Sequence, residues 1–169
     1  DEIIIQGMAH SIYYVVNDSS YLMGFNEATG DTISLKYTND DLSRIFVKGD
    51  ARGTFHPEQG QTKIDSILEY KAHNIDYNLY AQTTLLEQNV EIKYYNTELI
   101  SNNVIVNWKN NTLYATSENN ELSKILSQNQ KPISGEKLEF DLINKKGVIR
   151  LGETTVGDGI YKSDIIFRE

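Results

Sequence analysis

The chain reads as all-β, a stack of antiparallel strands, on three observations. First, a strand cassette recurs: Asn74-Ile75-Asp76-Tyr77-Asn78 returns as Asn103-Val104-Ile105-Val106-Asn107. Each copy leads through polar residues to a short apolar run ending in Ala, Leu79-Tyr80-Ala81 and Leu113-Tyr114-Ala115. Repetition of this kind marks stacked hairpin units. Second, Tyr is abundant (11 residues) and Pro scarce (2), and the apolar positions are rich in Ile, Val and Thr. Such side chains suit a half-buried pleated surface. Third, Asn, Asp and Gly punctuate the apolar runs at short intervals, where hairpin turns need residues that tolerate positive φ.

Taken in order, the N-terminal half predicts strands over Ile3 to Ile5, Ile12 to Val16, Tyr21 to Phe25, Thr32 to Tyr37 and Ile45 to Gly49. Turns are expected at Asn17-Asp18-Ser19-Ser20, Thr29-Gly30-Asp31 and Asn39-Asp40-Asp41. Ile33, Leu35 and Tyr37 alternate onto one face. Gly49-Asp50-Ala51 echoes Gly7-Met8-Ala9, which suggests a degenerate first turn of the same stack. Pro57 to Gln61 is a polar break, read as a loop between a degenerate half (1–61) and clearer repeats (62–169) of one domain spanning 1–169.

From Ile64 onward strands are expected near Leu68, Ile75, Leu85, Ile92, Leu99, Val104 and Leu113. Turns follow at Tyr95-Asn96-Thr97, Lys109-Asn110-Asn111, Asn144-Lys145-Lys146-Gly147 and Gly157-Asp158-Gly159. Between Asn119 and Gln130, Leu122, Ile125 and Leu126 stand at helical spacing, so this stretch predicts either a short helix or a long loop ending at Pro132. Strands resume at Leu138, Phe140 and Leu142, at Gly147 to Leu151 and at Ile165-Ile166-Phe167.

Alternation puts Ile75, Tyr77 and Leu79 on one face, as it does Val90, Ile92 and Tyr94, and Val104, Val106 and Trp108. Asp76, Asn78, Glu91, Lys93 and Asn107 fall on the other. Strands that are apolar on one side only must bring those sides together. The interior so formed is either a closed core, the reading the pattern alone favours, or a splayed groove able to hold a lipid; periodicity does not separate the two.

Charge and motif content narrow the function classes. The formal net charge is −8, and the basic residues are dispersed, which argues against nucleic acid and against docking on anionic membranes. The absence of Cys excludes disulfides, Cys-based zinc sites and thiol catalysis. His10, His56 and His73 stand in no metal-binding spacing. The chain has no G-x-S-x-G elbow, phosphate-cradling loop or dinucleotide fingerprint. The expectation is a binding protein, not an enzyme, with no catalytic residues, cofactor or metal. Trp108 and the tyrosines leave a carbohydrate-binding module open as a rival, and a purely structural stack that joins partners by its edges as another. Starting at Asp1 without Met, the chain is expected to be a mature form or a piece of a longer protein.

Four segments carry a resemblance. They are Lys71-Ala72-His73-Asn74-Ile75-Asp76-Tyr77, Leu85-Leu86-Glu87-Gln88-Asn89-Val90-Glu91-Ile92, Leu99-Ile100-Ser101-Asn102-Asn103-Val104, and Gly147-Val148-Ile149 through Gly152-Glu153-Thr154-Thr155 to Asp158-Gly159-Ile160-Tyr161. Together with Gly49-Asp50-Ala51-Arg52-Gly53, their order resembles the OstA-like family. That family includes the lipopolysaccharide transport protein LptA and the periplasmic N-terminal domain of LptD. Gln88 stands where that family usually has Gly. The resemblance implies a β-jellyroll, or folded β-taco, that carries lipopolysaccharide through the periplasm with its lipid A acyl chains in the apolar groove. It also implies end-to-end joining to other Lpt-type jellyrolls by strand addition, and a periplasmic location, with a tether to the outer membrane if the chain belongs to a longer protein. On this reading Ile33, Leu35, Ile75, Tyr77, Val90, Ile92, Val104, Val106, Leu113, Leu138 and Phe140 line the groove. Ile3, Ile4 and Ile5, with Ile165, Ile166 and Phe167, form the partner edges.

Overall fold

A computed structural model describes residues 1–17, 19–117, 121–128, 130–156 and 158–168. These residues form eleven strands and no helix: β1 (Glu2–Val16), β2 (Leu22–Thr38), β3 (Asp41–Pro57), β4 (Leu68–Asn78), β5 (Thr83–Tyr94), β6 (Thr97–Asn107), β7 (Thr112–Thr116), β8 (Ser123–Ser127), β9 (Gln130–Asp141), β10 (Lys146–Val156) and β11 (Gly159–Arg168). All pair antiparallel in one sheet, in the order β1-β2-β3-β4-β5-β6-β7-β9-β10-β11, with β8 between β6 and β9. β1 and β11 are the end strands.

The strands are fewer and longer than the sequence predicts. Leu68 and Ile75 belong to one strand, as do Leu85 and Ile92, Leu99 and Val104, and Tyr21-side Phe25 and Thr32 to Tyr37. Thr29-Gly30-Asp31 is not a turn between strands. It lies opposite bulges in its neighbours: the register shifts put extra residues in β1 between Gln6 and Ala9, in β3 between Lys48 and Ala51, and in β5 between Glu87 and Val90, with 29–32 of β2 and 71–74 of β4 facing them. Each bulge bends its strand. Because they lie at one level on alternate strands, the bends add into a single corner that folds the sheet into two leaves. Leaf A holds the strand segments that include Ile33, Ile75 and Leu138; leaf B holds those that include Tyr13, Phe55 and Ile92.

The corner explains the sequence echo. Gly7-Met8 (φ 80° and 42°) and Gly49-Asp50 (78° and 42°) occupy the bulges of β1 and β3, and Gln88-Asn89 (64° and 53°) occupies that of β5. Gln88 therefore holds a left-handed backbone conformation that glycine adopts without steric cost. Inside the corner the side chains are small. Ala9 pairs with Gly30, Ala51 with Ala72, and Gly135 with both Ser123 and Gly152. A Cβ on Gly30 would stand 2.6 Å from Val47 Cγ1, and one on Gly135 would stand 2.2 Å from Ile149 Cγ2.

The stretch over 119–130 is corrected. Ser123–Ser127 is a strand, neither helix nor loop, while residues 118–120 and 129 lie outside the described residues. Ser123 and Ile125 are both fully buried, Ile125 set between Leu99 and Ile133 on leaf B, so the local pattern is two-residue alternation. Asp18 and Gly157, in two of the expected turns, also lie outside the described residues. The first cassette diverges from the second after Asn78: residues 79–82 make a turn, whereas Leu113-Tyr114-Ala115 is strand β7.

Polar groups bind the leaves together within the core. Asn26 is fully buried; its Nδ2 donates to Tyr13 Oη at 2.7 Å, and its Oδ1 accepts from Tyr70 Oη. Tyr70 and Tyr77 share a hydrogen bond of 3.1 Å. Tyr13 of leaf B also packs edge-on against Tyr77 of leaf A, ring centroids 4.8 Å apart. Burial raises the pKa of all three phenols and so holds them neutral, and the neighbouring Tyr77 adds to the effect at Tyr13 and Tyr70.

Gly135→Ala should destabilise the protein by ~1–3 kcal/mol through overpacking, and Gln88→Gly should stabilise it by up to ~1 kcal/mol through relief of positive φ, both read from urea midpoints. The buried tyrosines set the alkaline limit. Their folded pKa values lie above the unfolded value near 10, so their contribution is intact below about pH 10 and lost as pH rises through the folded values. Stability should fall above that pH by ~1.4 kcal/mol per pH unit for each phenol. Tyr70→Phe should shallow that slope by one proton's worth in a denaturation series across pH.

Candidate functional site

The pairing register assembles the inward residues into unbroken rows. On leaf A one row runs Ile5, Ile33, Val47, Ile75, Leu86, Val104, Ala115, Leu138, Ile149, Ile166, with every member apolar. At ~4.8 Å per strand step it extends about 43 Å. The adjoining row carries Leu35, Ile45, Tyr77, Thr84, Val106, Leu113 and Phe140. On leaf B the facing row includes Ala28, Gly53, Tyr70, Ile92, Leu99, Ile125 and Ile133. The two cassettes land two strands apart in identical rows: Ile75 aligns with Val104 through Leu86, and Tyr77 with Val106 through Thr84.

Of the residues singled out as groove lining, Ile33, Ile75, Tyr77, Val90, Ile92, Val104, Val106, Leu113, Leu138 and Phe140 all point inward and are at most 4% exposed; Leu35 is partly buried against them. The leaves touch. Phe55 lies 4.6 Å from Trp108 between ring centroids, and Tyr94 lies 6.4 Å from Phe140. An acyl chain entering this interior would have to part side chains that now pack on each other. Trp108 is 2% exposed, with its Nε1 donating to Thr84 Oγ1 at 2.9 Å, so its ring is core and presents no face to a sugar.

The edge residues divide between the two faces. Ile3 and Ile5 pair with Leu35 and Ile33 and prolong the inner rows onto β1, where they are 50% and 38% exposed. Ile166 does the same on β11, partly buried. Ile4, Ile165 and Phe167 lie on the outer face and are exposed. β1 also exposes Met8, Ile12, Tyr14 and Val16. Each end strand has one pairing side without a partner strand among the described residues.

The outer faces hold what linear spacing could not reveal. Asp76, expected in water, is nearly buried beneath Arg44, whose Nε donates to Oδ1 at 2.6 Å and whose Nη2 donates to Oδ2. His10 and His56, 46 positions apart in the numbering, flank one carboxylate: Nε2 of His10 is 3.0 Å from Glu27 Oε1, and Nε2 of His56 is 3.5 Å from Oε2. Adjacent strands bring them together, and only the register could have foretold it. Among the described residues no group of three His, Cys, Asp or Glu is arranged to hold a metal ion.

The free margins of the leaves meet at a lip opposite the corner. There the loop over 58–67 follows Pro57 and inserts Ile64, 2% exposed, into the core. Tyr94 Oη donates to Leu142 O at 2.8 Å, joining leaf B to the margin of leaf A. Burial pushes that phenol up to about 12, and the nearby Asp65 carboxylate adds to the shift. Beside the loop a shallow depression of about 340 Å³ is bordered by Met23, Gln61, Thr62, Gln82, Trp108 and Ile143, among others.

Comparison with known proteins gives a likeness in fold. No family model and no curated protein sequence matches the chain. Among solved structures, the chain resembles LptH of Pseudomonas aeruginosa, described as the LptA homologous periplasmic component of the conserved lipopolysaccharide transport device. The TM-score is 0.55 at 9% sequence identity, over 76% of this chain and 95% of LptH. The chain thus has an LptA-like β-jellyroll fold.

Proposed function

We propose that this protein binds lipopolysaccharide in the periplasm and passes it toward the outer membrane, holding the lipid A acyl chains between its two leaves. The observation that carries this reading is the apolar row from Ile5 to Ile166, which crosses the sheet from one end strand to the other without a polar member. A core needs apolar residues; it does not need them in an uninterrupted line that surfaces at an end strand. The likeness to LptH adds support, since that protein is a component of a lipopolysaccharide transport device.

The role is one of binding, not catalysis. The groove set is the inward residues named above, with Leu138 and Phe140 near the C-terminal end. Affinity comes from burying acyl chain, at ~25 cal/mol per Å² of apolar area removed from water, and sugars remain outside. β1 and β11 each offer a pairing side without a partner strand among the described residues, so partner jellyrolls of the same transport device would join by strand addition. The exposed Ile3 to Ile5 and Ile165 to Phe167 segments would form these junctions.

A photoreactive residue at Leu138 or Phe140 should crosslink to lipopolysaccharide. One at Ile105, an apolar position on the outer face of the same leaf, should not. Val106→Asp places a carboxylate in the groove and should abolish the crosslink; Val106→Thr, nearly equal in volume, separates folding from binding. Equal labelling at Ile105 and Leu138, or none at any inward position, would defeat the proposal.

A further inference from the structure

A latch spans the lip. Asp65, in the loop between β3 and β4 on leaf B, accepts a hydrogen bond from Lys145 Nζ at 2.8 Å. Lys145 stands in the β9–β10 turn, on the margin of leaf A. The same ammonium lies 4.3 Å from the centroid of the Tyr95 ring, at the β5–β6 turn of leaf B. One cation of leaf A is thus held by two groups of leaf B. Beside it Ile64 is buried in the core, with its amide nitrogen donating to Thr62 Oγ1 at 3.1 Å. Tyr94 reaches both Asp65, at 3.4 Å, and the Leu142 carbonyl.

We infer that the 58–67 loop is a gate over the side opening of the groove: Ile64 is its plug, and Lys145, held by Asp65 and Tyr95, is its latch. The inference rests on the acyl-binding reading. It follows from where the closure is strong and where it is weak. Toward the N-terminal strands the leaves are joined by the buried Tyr13, Asn26, Tyr70 and Tyr77 cluster, which cannot part without stranding polar groups in the core. At the lip the latch is an exposed ion pair, which binds weakly and is screened by salt, and the single buried hydrogen bond beside it runs from Tyr94 to the Leu142 carbonyl. The hydrogen bond from Lys145 holds the Asp65 carboxyl below its ordinary range, with a contribution from the neighbouring Ser66. The packed interior admits an acyl chain only when the leaves separate, and the lip is where separation meets least resistance. Opening there would expose Leu142 and the Tyr94–Phe140 contact, on the edge of the C-terminal part of the interior.

The chain has no cysteine, so thiols introduced by Asp65→Cys and Lys145→Cys are unique and can be joined by a short bismaleimide. The linked protein should take up purified lipopolysaccharide, followed as crosslinking at Leu138, about tenfold or more slowly than either single variant treated with the same reagent. Without lipid, Asp65→Asn should speed amide exchange in 62–66 and 142–145, and leave exchange around Tyr13 and Tyr70 unchanged. Unaltered uptake in the linked protein, or unaltered exchange in Asp65→Asn, overturns the latch even while crosslinking at Leu138 upholds the acyl-binding reading. Failure of the unmodified protein to crosslink overturns that reading and the gating role with it.

Discussion

Everything in this fold depends on the long strands bending at the same level. A flat antiparallel sheet with one apolar face would leave that face in water; folding it along a line lets the face bury itself. The constraint acts on both sides of the fold line. Outside, the alternate strands β1, β3 and β5 take an extra residue with positive φ, as at Gly49-Asp50. Inside, side chains shrink to Ala, Gly or Ser so that neighbours such as Val47 and Ile149 can fill the angle. The inner rows are straight because the fold line is straight.

The interior that results is mixed in chemistry. The part built on β1 to β4 carries hydroxyl and amide groups bonded to each other; the part beyond is mostly aliphatic and aromatic, with Ser101 and Ser123 as its buried hydroxyl pair. Polar groups in a core fix geometry because each requires its own partner, whereas aliphatic side chains accept many neighbours. A scaffold that must stay folded while its contents change is served by having both, rigid where leaves are pinned and permissive elsewhere.

Much of this was legible in the amino-acid sequence. The class, the inward positions and the hairpin turns at Asn39-Asp40 and Asn110-Asn111 follow from two-residue alternation and turn chemistry. The bulges were not legible. A Gly or Asp between two apolar runs looks the same whether the chain reverses or merely bends, so Thr29-Gly30-Asp31 read as a turn and single long strands read as pairs of short ones. Ser123–Ser127 was missed because Leu122, Ile125 and Leu126 also satisfy helical spacing over so short a span. The pairing of His10 and His56 on Glu27, and of Lys145 with Asp65, depends on cross-strand register, which no local pattern encodes.

At β6 the sheet is served by two short strands where its neighbours have one long one. β7 continues leaf A beside β6, β8 continues leaf B, and β9 reunites them. Thr116 ends the first and Ser123 begins the second, so at this step alone the chain need not follow the bend. The rows on either side are already complete without the intervening residues. Length can therefore vary there without shifting any apolar position, which makes this ridge the natural seam at which such a scaffold could acquire or shed extra chain during its divergence.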